Sequence, residues 1–177
     1  MKMLKKLLAV VLTGAMALTL LTACGSNAVR DKDIADALNN IVKLNDSEVT
    51  FTPRAKEREM AQKLAALLES HSEDDSNSAE LSAKIQGILG IDQGGVNENN
   101  FVWVQNALTD KLGAEGQAFQ VMESLTDKGG AYNFSSLGSK EPADTRYMGT
   151  ALCKIPDQKD NLVTVRVIVV TAEVVDE

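Results

Sequence analysis

The 177-residue sequence predicts an α+β fold, a three-layer α-β-α sandwich around a small, mainly antiparallel sheet. Three observations predict it. Apolar residues recur at helical spacing through the first half of the chain. The C-terminal third holds two β-branched runs, Arg146 to Ile155 and Leu162 to Val175, flanking the turn-like string "PDQKDN". Within the second run, Val167 to Val170 is apolar on both faces, so both faces of that strand need a cover. Helices on both sides of the sheet would supply it.

Taken in order, Ile34, Ala37, Leu38, Ile41 and Val42 predict a first amphipathic helix. A second is expected to start at Thr52-Pro53, with Thr52 as N-cap and Pro53 as first helical residue. Met60, Leu64, Leu67 and Leu68 carry it to about Ser70. After the solvated connection "HSEDDSNS", Ser78 can cap a third helix through Leu81, Ile85, Ile88 and Leu89, with Gly90 as a stop signal. "NFVWV" reads as a short buried strand. Residues 115–127 return to helix, with Phe119, Met122 and Leu125 facing inward. "KGGAYNFSSLGSKEPADT" reads as a long loop, followed by a closing antiparallel hairpin. In that hairpin Thr164 and Arg166 alternate with valines, as on a half-buried strand.

The N-terminus carries an address. Lys2, Lys5 and Lys6 precede an apolar run of about 15 residues, Leu7 to Leu21, shorter than the roughly 20 needed to span a bilayer. Residues 1–23 are read as a signal peptide, 24–32 as a short linker, and 33–177 as one domain. Without the signal peptide, fifteen basic residues face 25 acidic ones, a net charge of −10. That balance argues against nucleic acid, whose phosphates require a basic surface. The eight residues between Cys24 and Asp33 reach roughly 30 Å at full extension. Cys153, in "MGTALCKI", reads as a small buried hydrophobe, with a nucleophilic role as the alternative.

The string Leu21-Thr22-Ala23-Cys24 resembles the lipobox of bacterial lipoproteins. The resemblance implies cleavage before Cys24, acylation there (palmitate among the chains), and a lipid-anchored protein facing outside the cytoplasm. The alternative is an unmodified Cys24 in a plain secretory signal or an uncleaved anchor. If Cys24 is lipidated, Cys153 has no disulfide partner.

A second resemblance spans roughly residues 34–172. "FTPRAKEREMAQKLAALLESHS" is similar to the helix of CAP-superfamily domains that ends in a Ser-His motif. That superfamily includes cysteine-rich secretory proteins, antigen 5, pathogenesis-related proteins and bacterial SCP-like domains. "VNENNFVW" resembles its Gly-Glu-Asn segment, with Glu98 and Asn99 matching. "DKGGAYNF" resembles its Ser-Pro-Gly-His-Arg-x-Asn-Ile, with Gly129 and Asn133 matching. "RYMGTALCK" and "LVTVRVIVVT" resemble its terminal hairpin. The family's cavity holds two histidines and two acids. Here the resemblance places His71 and Glu98 at one of each, while Gly130 stands at the second histidine. The second acid is unassigned; Glu123 lies nearby in sequence. His71, Glu98 and Asn133 are thus the expected ligand-binding residues.

These residues limit the chemistry. A His71–Glu98 couple would raise the imidazole pKa and could serve general acid–base work. Against that, a histidine after a helix C-terminus is favoured by the helix dipole alone, and the alternative for Glu98 is a solvated acid or one bonded to a nearby backbone amide. One histidine and no cysteine cluster leave too few ligands for a catalytic zinc, and "SEDDSNSAE" lacks calcium-loop spacing. No metal and no cofactor are expected. The expected role is a non-enzymatic envelope module binding a small molecule, glycan, peptide or protein. A hydrolase-like enzyme using His71 and Glu98, or a purely structural lipoprotein, are the alternatives.

Overall fold

A computed structural model describes residues 30–45, 47–70, 78–91, 100–108, 112–126, 140–156 and 161–176. In chain order they form α1 (Asp31–Leu44), β1 (Thr50–Pro53), α2 (Ala55–Ser70), α3 (Ser78–Leu89), β2 (Asn100–Leu108), α4 (Ala114–Thr126), β3 (Lys140–Pro142), β4 (Thr145–Pro156) and β5 (Leu162–Asp176). The α+β class is as the sequence predicts. Cys24, His71, Glu98, Gly129, Gly130 and Asn133 lie outside the described residues.

The sheet runs β1-β4-β5-β2, with β3 also pairing β5. β5 is antiparallel to β4 and β2, whereas β1 joins β4 in parallel. The predicted hairpin is therefore present, from Pro156↔Leu162 to Tyr147↔Thr171. Beyond it Pro142 pairs with Val174, so β3 and β4 form one strand course interrupted around Ala143-Asp144.

Side-chain alternation assigns the two faces. Thr171, Gly149 and Cys153 face α2: Thr171 bonds to Glu57, Gly149 lies under the α2 backbone, and Glu69 of α2 borders Cys153. Thr150 and Arg166 face α1 and α4, through Asp31 and Gln117. Val167, Ile168, Val169 and Val170 are all fully buried, as their two-faced apolar pattern requires. Burying each such side chain stabilises the fold by about 1.5–3 kcal/mol.

The helices follow from their stripes and ends. In α1, Ile34, Ala37, Leu38 and Val42 are buried at three- and four-residue spacing. Asp31 and Asp33 in its first turn and Lys43 in its last suit the helix dipole. Asp33 accepts the Arg30 backbone N–H and its guanidinium, which hold its carboxyl down at about 2. α3 ends at Gly90, whose φ of +67° is the left-handed conformation a C′ glycine adopts freely.

Five expectations need correction. Thr52 and Pro53 belong to β1, and α2 starts at Ala55. A Thr-Pro pair also fits the end of an edge strand, because the missing proline N–H is not needed there. The outer side of β1 is closed by Asn39, which donates to the Phe51 carbonyl (2.9 Å) and accepts its N–H (2.7 Å). The strand around "NFVWV" is nine residues long, and Lys140–Pro142 is strand inside the expected loop. In α4, Phe119 is 63% exposed, while Gln117, Ala118 and Val121 are buried and Met122 is partly buried. Small Ala118, not Phe119, faces the interior. Arg166 is also buried, with the sheet on one side and α4 over it.

Among the described residues no helix is long and apolar enough to cross a membrane.

Candidate functional site

Gly149 sets the geometry of the α2 face. A Cβ there would lie 2.0 Å from Arg58 N and 2.3 Å from Glu57 C, so the helix backbone rests on the bare strand. This contact drives the Glu57 side chain into the interior, where its exposure is 0%. A lone buried carboxylate would be costly, but here it is satisfied. Arg54 Nε donates to Glu57 Oε2 (2.7 Å), Arg54 Nη2 donates to Oε1, and Thr171 Oγ1 donates to Oε1 (2.7 Å). Burial pushes the Glu57 carboxyl up, yet the bonds from Arg54 and Thr171 outweigh it and leave it below the ordinary glutamate value. The same bond to Glu57 raises Arg54.

Arg54 is shared between this interior pair and the surface. Its guanidinium carbon sits 3.7 Å from the Tyr147 ring centroid, and 40% of its side chain is exposed. Tyr147, Thr171 and Val102 occupy one cross-strand row of β4, β5 and β2. They form the floor of a cavity of about 370 Å3. Arg54, Lys56 and Met60 of the β1–α2 region line it, as does the last turn of α3 from Gly87 to Gly90. Glu173 also lines it.

A second polar cluster lies on the opposite face. Asp31 accepts from Thr150 Oγ1 (2.6 Å) and from Arg58 Nε (2.7 Å). Arg166 donates to Thr150 Oγ1 (2.9 Å) and to Gln117 Oε1 (2.8 Å), and Gln117 donates to the Leu112 carbonyl (2.8 Å). All but Arg58 and Leu112 are buried. This cluster ties α1, α2, α4 and the sheet together and opens on no described cavity.

Of the site residues read from the sequence, His71, Glu98 and Asn133 lie outside the described residues. Their neighbours are informative. Two residues before His71, Glu69 accepts the Lys154 backbone N–H (2.9 Å), level with Thr164 on β5. Two residues after Glu98, Asn100 pairs with Glu173 at the cavity. Those levels are nine residues apart along β5, roughly 30 Å. Glu123, the nearby acid, is exposed on α4. Cys153 is 1% exposed, and burial, with Glu69 adding to it, pushes its thiol up, which suits a packing role. Among the described residues no group of three or more His, Cys, Asp or Glu could hold a metal ion.

Sequence reading missed Arg54, Glu57, Tyr147 and Thr171. The available signal was the Arg54–Glu57 spacing of three at a helix start, which ordinarily marks an exposed pair.

No family model matches the chain, and no curated protein matches it. Among solved structures, the CAP domain of Enterococcal PrgA aligns at 12% identity with a TM-score of 0.40. The alignment covers 79% of this chain and 58% of that one, so this chain spans less than two thirds of that neighbour's length. At that TM-score the likeness carries no weight on function.

Proposed function

We propose that this chain is a lipid-anchored, extracytoplasmic binding module with a degenerate CAP-type domain, held to the membrane through Cys24. The lipobox-like end of its signal segment supports the anchor, and the order of the CAP-like strings supports the family. The observation that carries the binding reading is the cavity over Tyr147, Thr171 and Val102. Two of its lining polar groups are already engaged: Arg54 and Thr171 both donate to the buried Glu57 behind them. Groups so bonded orient a ligand better than they exchange protons with one. Glu98, His71 and Asn133 are assigned to ligand contact on the sequence resemblance alone.

The hydrolase alternative asks His71 and Glu98 to meet. That couple rests on the sequence resemblance, and turnover decides it.

The test is a screen of glycans, peptides and small metabolites against the full chain in detergent, read by NMR, with palmitate labelling of wild type and Cys24→Ser in a bacterial host. Shifts confined to the cavity residues, without turnover, and label lost in Cys24→Ser are expected. Turnover abolished by His71→Ala or Glu98→Gln would replace the binding reading with the enzyme. Ligand contacts that never involve the cavity would point to a structural lipoprotein. Label retained by Cys24→Ser would overturn the anchor.

A further inference from the structure

We infer that the cavity takes a small zwitterion, one carboxylate and one ammonium group carried on an apolar side chain; this rests on the binding reading above and names its ligand class. Two helix termini meet at the cavity with opposite polarity. The first turn of α2 lines one wall at Lys56. The last turn of α3 lines another wall at Gly87, Ile88 and Leu89. The helix dipoles therefore add a positive end on one wall and a negative end on the other.

The side chains add charges of both signs. Lys56 lines the cavity, is exposed, and forms no ion pair among the described residues. Arg54 presents the outer part of a guanidinium whose charge Glu57 already balances. Glu173 supplies an exposed carboxylate. Because the buried Glu57 behind the wall balances Arg54, Lys56 and Glu173 are left as one charge of each sign on the lining, which does not favour a simple anion or cation. Separated charges of opposite sign instead complement a dipolar ligand. Between them Met60, Ile88 and Val102 offer apolar surface for a side chain. The volume, about 370 Å3, lies at the lower end of ordinary ligand pockets, roughly 300–1,000 Å3. That is room for a free amino acid or a dipeptide.

Four probes test this on the full chain in detergent micelles by NMR titration: leucine, leucyl-leucine, N-acetyl-leucine and leucine amide. Leucine or leucyl-leucine is expected to shift Lys56, Tyr147 and Glu173, and whichever binds more tightly identifies the amino acid or the dipeptide as the source. Capping either charged end is expected to weaken binding roughly tenfold or more. Lys56→Ala should abolish the penalty for the amide cap, and Glu173→Gln the penalty for the acetyl cap. Both side chains are exposed, so the folded state should survive both changes. Equal binding by capped and uncapped leucine would overturn the zwitterion and leave the binding module standing. Absence of shifts with all four probes, alongside cavity shifts with a glycan, would do the same. Absence of cavity shifts with every ligand class would overturn both.

Discussion

The two polar clusters on either face of the sheet use similar residues to different ends. Asp31, Thr150, Arg166 and Gln117 are shut between α1, α4 and the sheet. Arg54, Glu57 and Thr171 bury one charge completely and leave the other 40% exposed over Tyr147, at the wall of a cavity. A closed network fixes how layers dock, and the one half-exposed charge that joins this one, Arg58, is not among the residues lining the cavity. An open one can fix docking and also line a cavity, because the buried half holds the exposed half in place. The contrast separates a structural polar cluster from a site more reliably than counting charged residues would.

Breaking the support common to both clusters should have the largest effect. Gly149→Ala forces a Cβ to within 2.0 Å of the α2 backbone, beside both Glu57 and Arg58. Its expected cost is about 3 kcal/mol or more, since backbone cannot give as a side chain can. Chemical denaturation measures it, and a loss under 1 kcal/mol would mean that α2 rides higher on the sheet. Asp31→Ala should cost about 2–3 kcal/mol, because Thr150 and Arg58 each lose a partner. It should leave affinity at the cavity unchanged, and weakened ligand binding would merge the two clusters into one unit.

On the open side, Glu57→Gln should cost about 2 kcal/mol at neutral pH, less than a fully buried pair because Arg54 is part exposed. It should also alter the acid limb. The folded pKa of Glu57 lies below its unfolded value, so its contribution is present at neutral pH. It is lost as pH falls below about 4.5 toward the folded value. A Glu57→Gln variant should therefore show a shallower stability loss across that window. An unchanged slope would assign the acid sensitivity to other carboxylates. The exposed Arg30–Asp33 pair, though it holds Asp33 near 2, should contribute little, since water screens both partners.

The smallest effect is expected at His71, the single histidine of the chain. Its imidazole pKa, followed by NMR, should be indifferent to Glu98→Gln. A fall of one unit on that substitution would bring the two residues together and restore the acid–base couple.

The fold was legible where periodicity and burial speak the same language. β5 is apolar on both faces and is covered on both faces; α1 buries most of the stripe its spacing marks, and α3 buries Leu89 with Ile85 and Ile88 partly buried. Misreadings arose where one local signal serves two structures. Thr52-Pro53 fits a helix start and an edge-strand end equally. Arg166 alternates with valines as an exposed residue would, and its burial depends on partners that the local string does not show, among them Gln117 from 49 residues away. In α4 the large residue drew the inward face to Phe119, whereas close helix packing favoured Ala118. The cavity was not legible at all. Its lining comes from five elements, and each contributes residues that are unremarkable in their own segment.

Asp31 has a mechanical consequence. It is the first residue of α1, and its carboxylate is bonded at once to β4 through Thr150 and to α2 through Arg58. Any pull along the chain from the N-terminal side is thus divided at the point of entry between the sheet and the opposite helix layer. The load reaches β4, which is bonded along its length to β5, before α1 itself must unwind. Tension would therefore be passed to the longest strand pairing among the described residues.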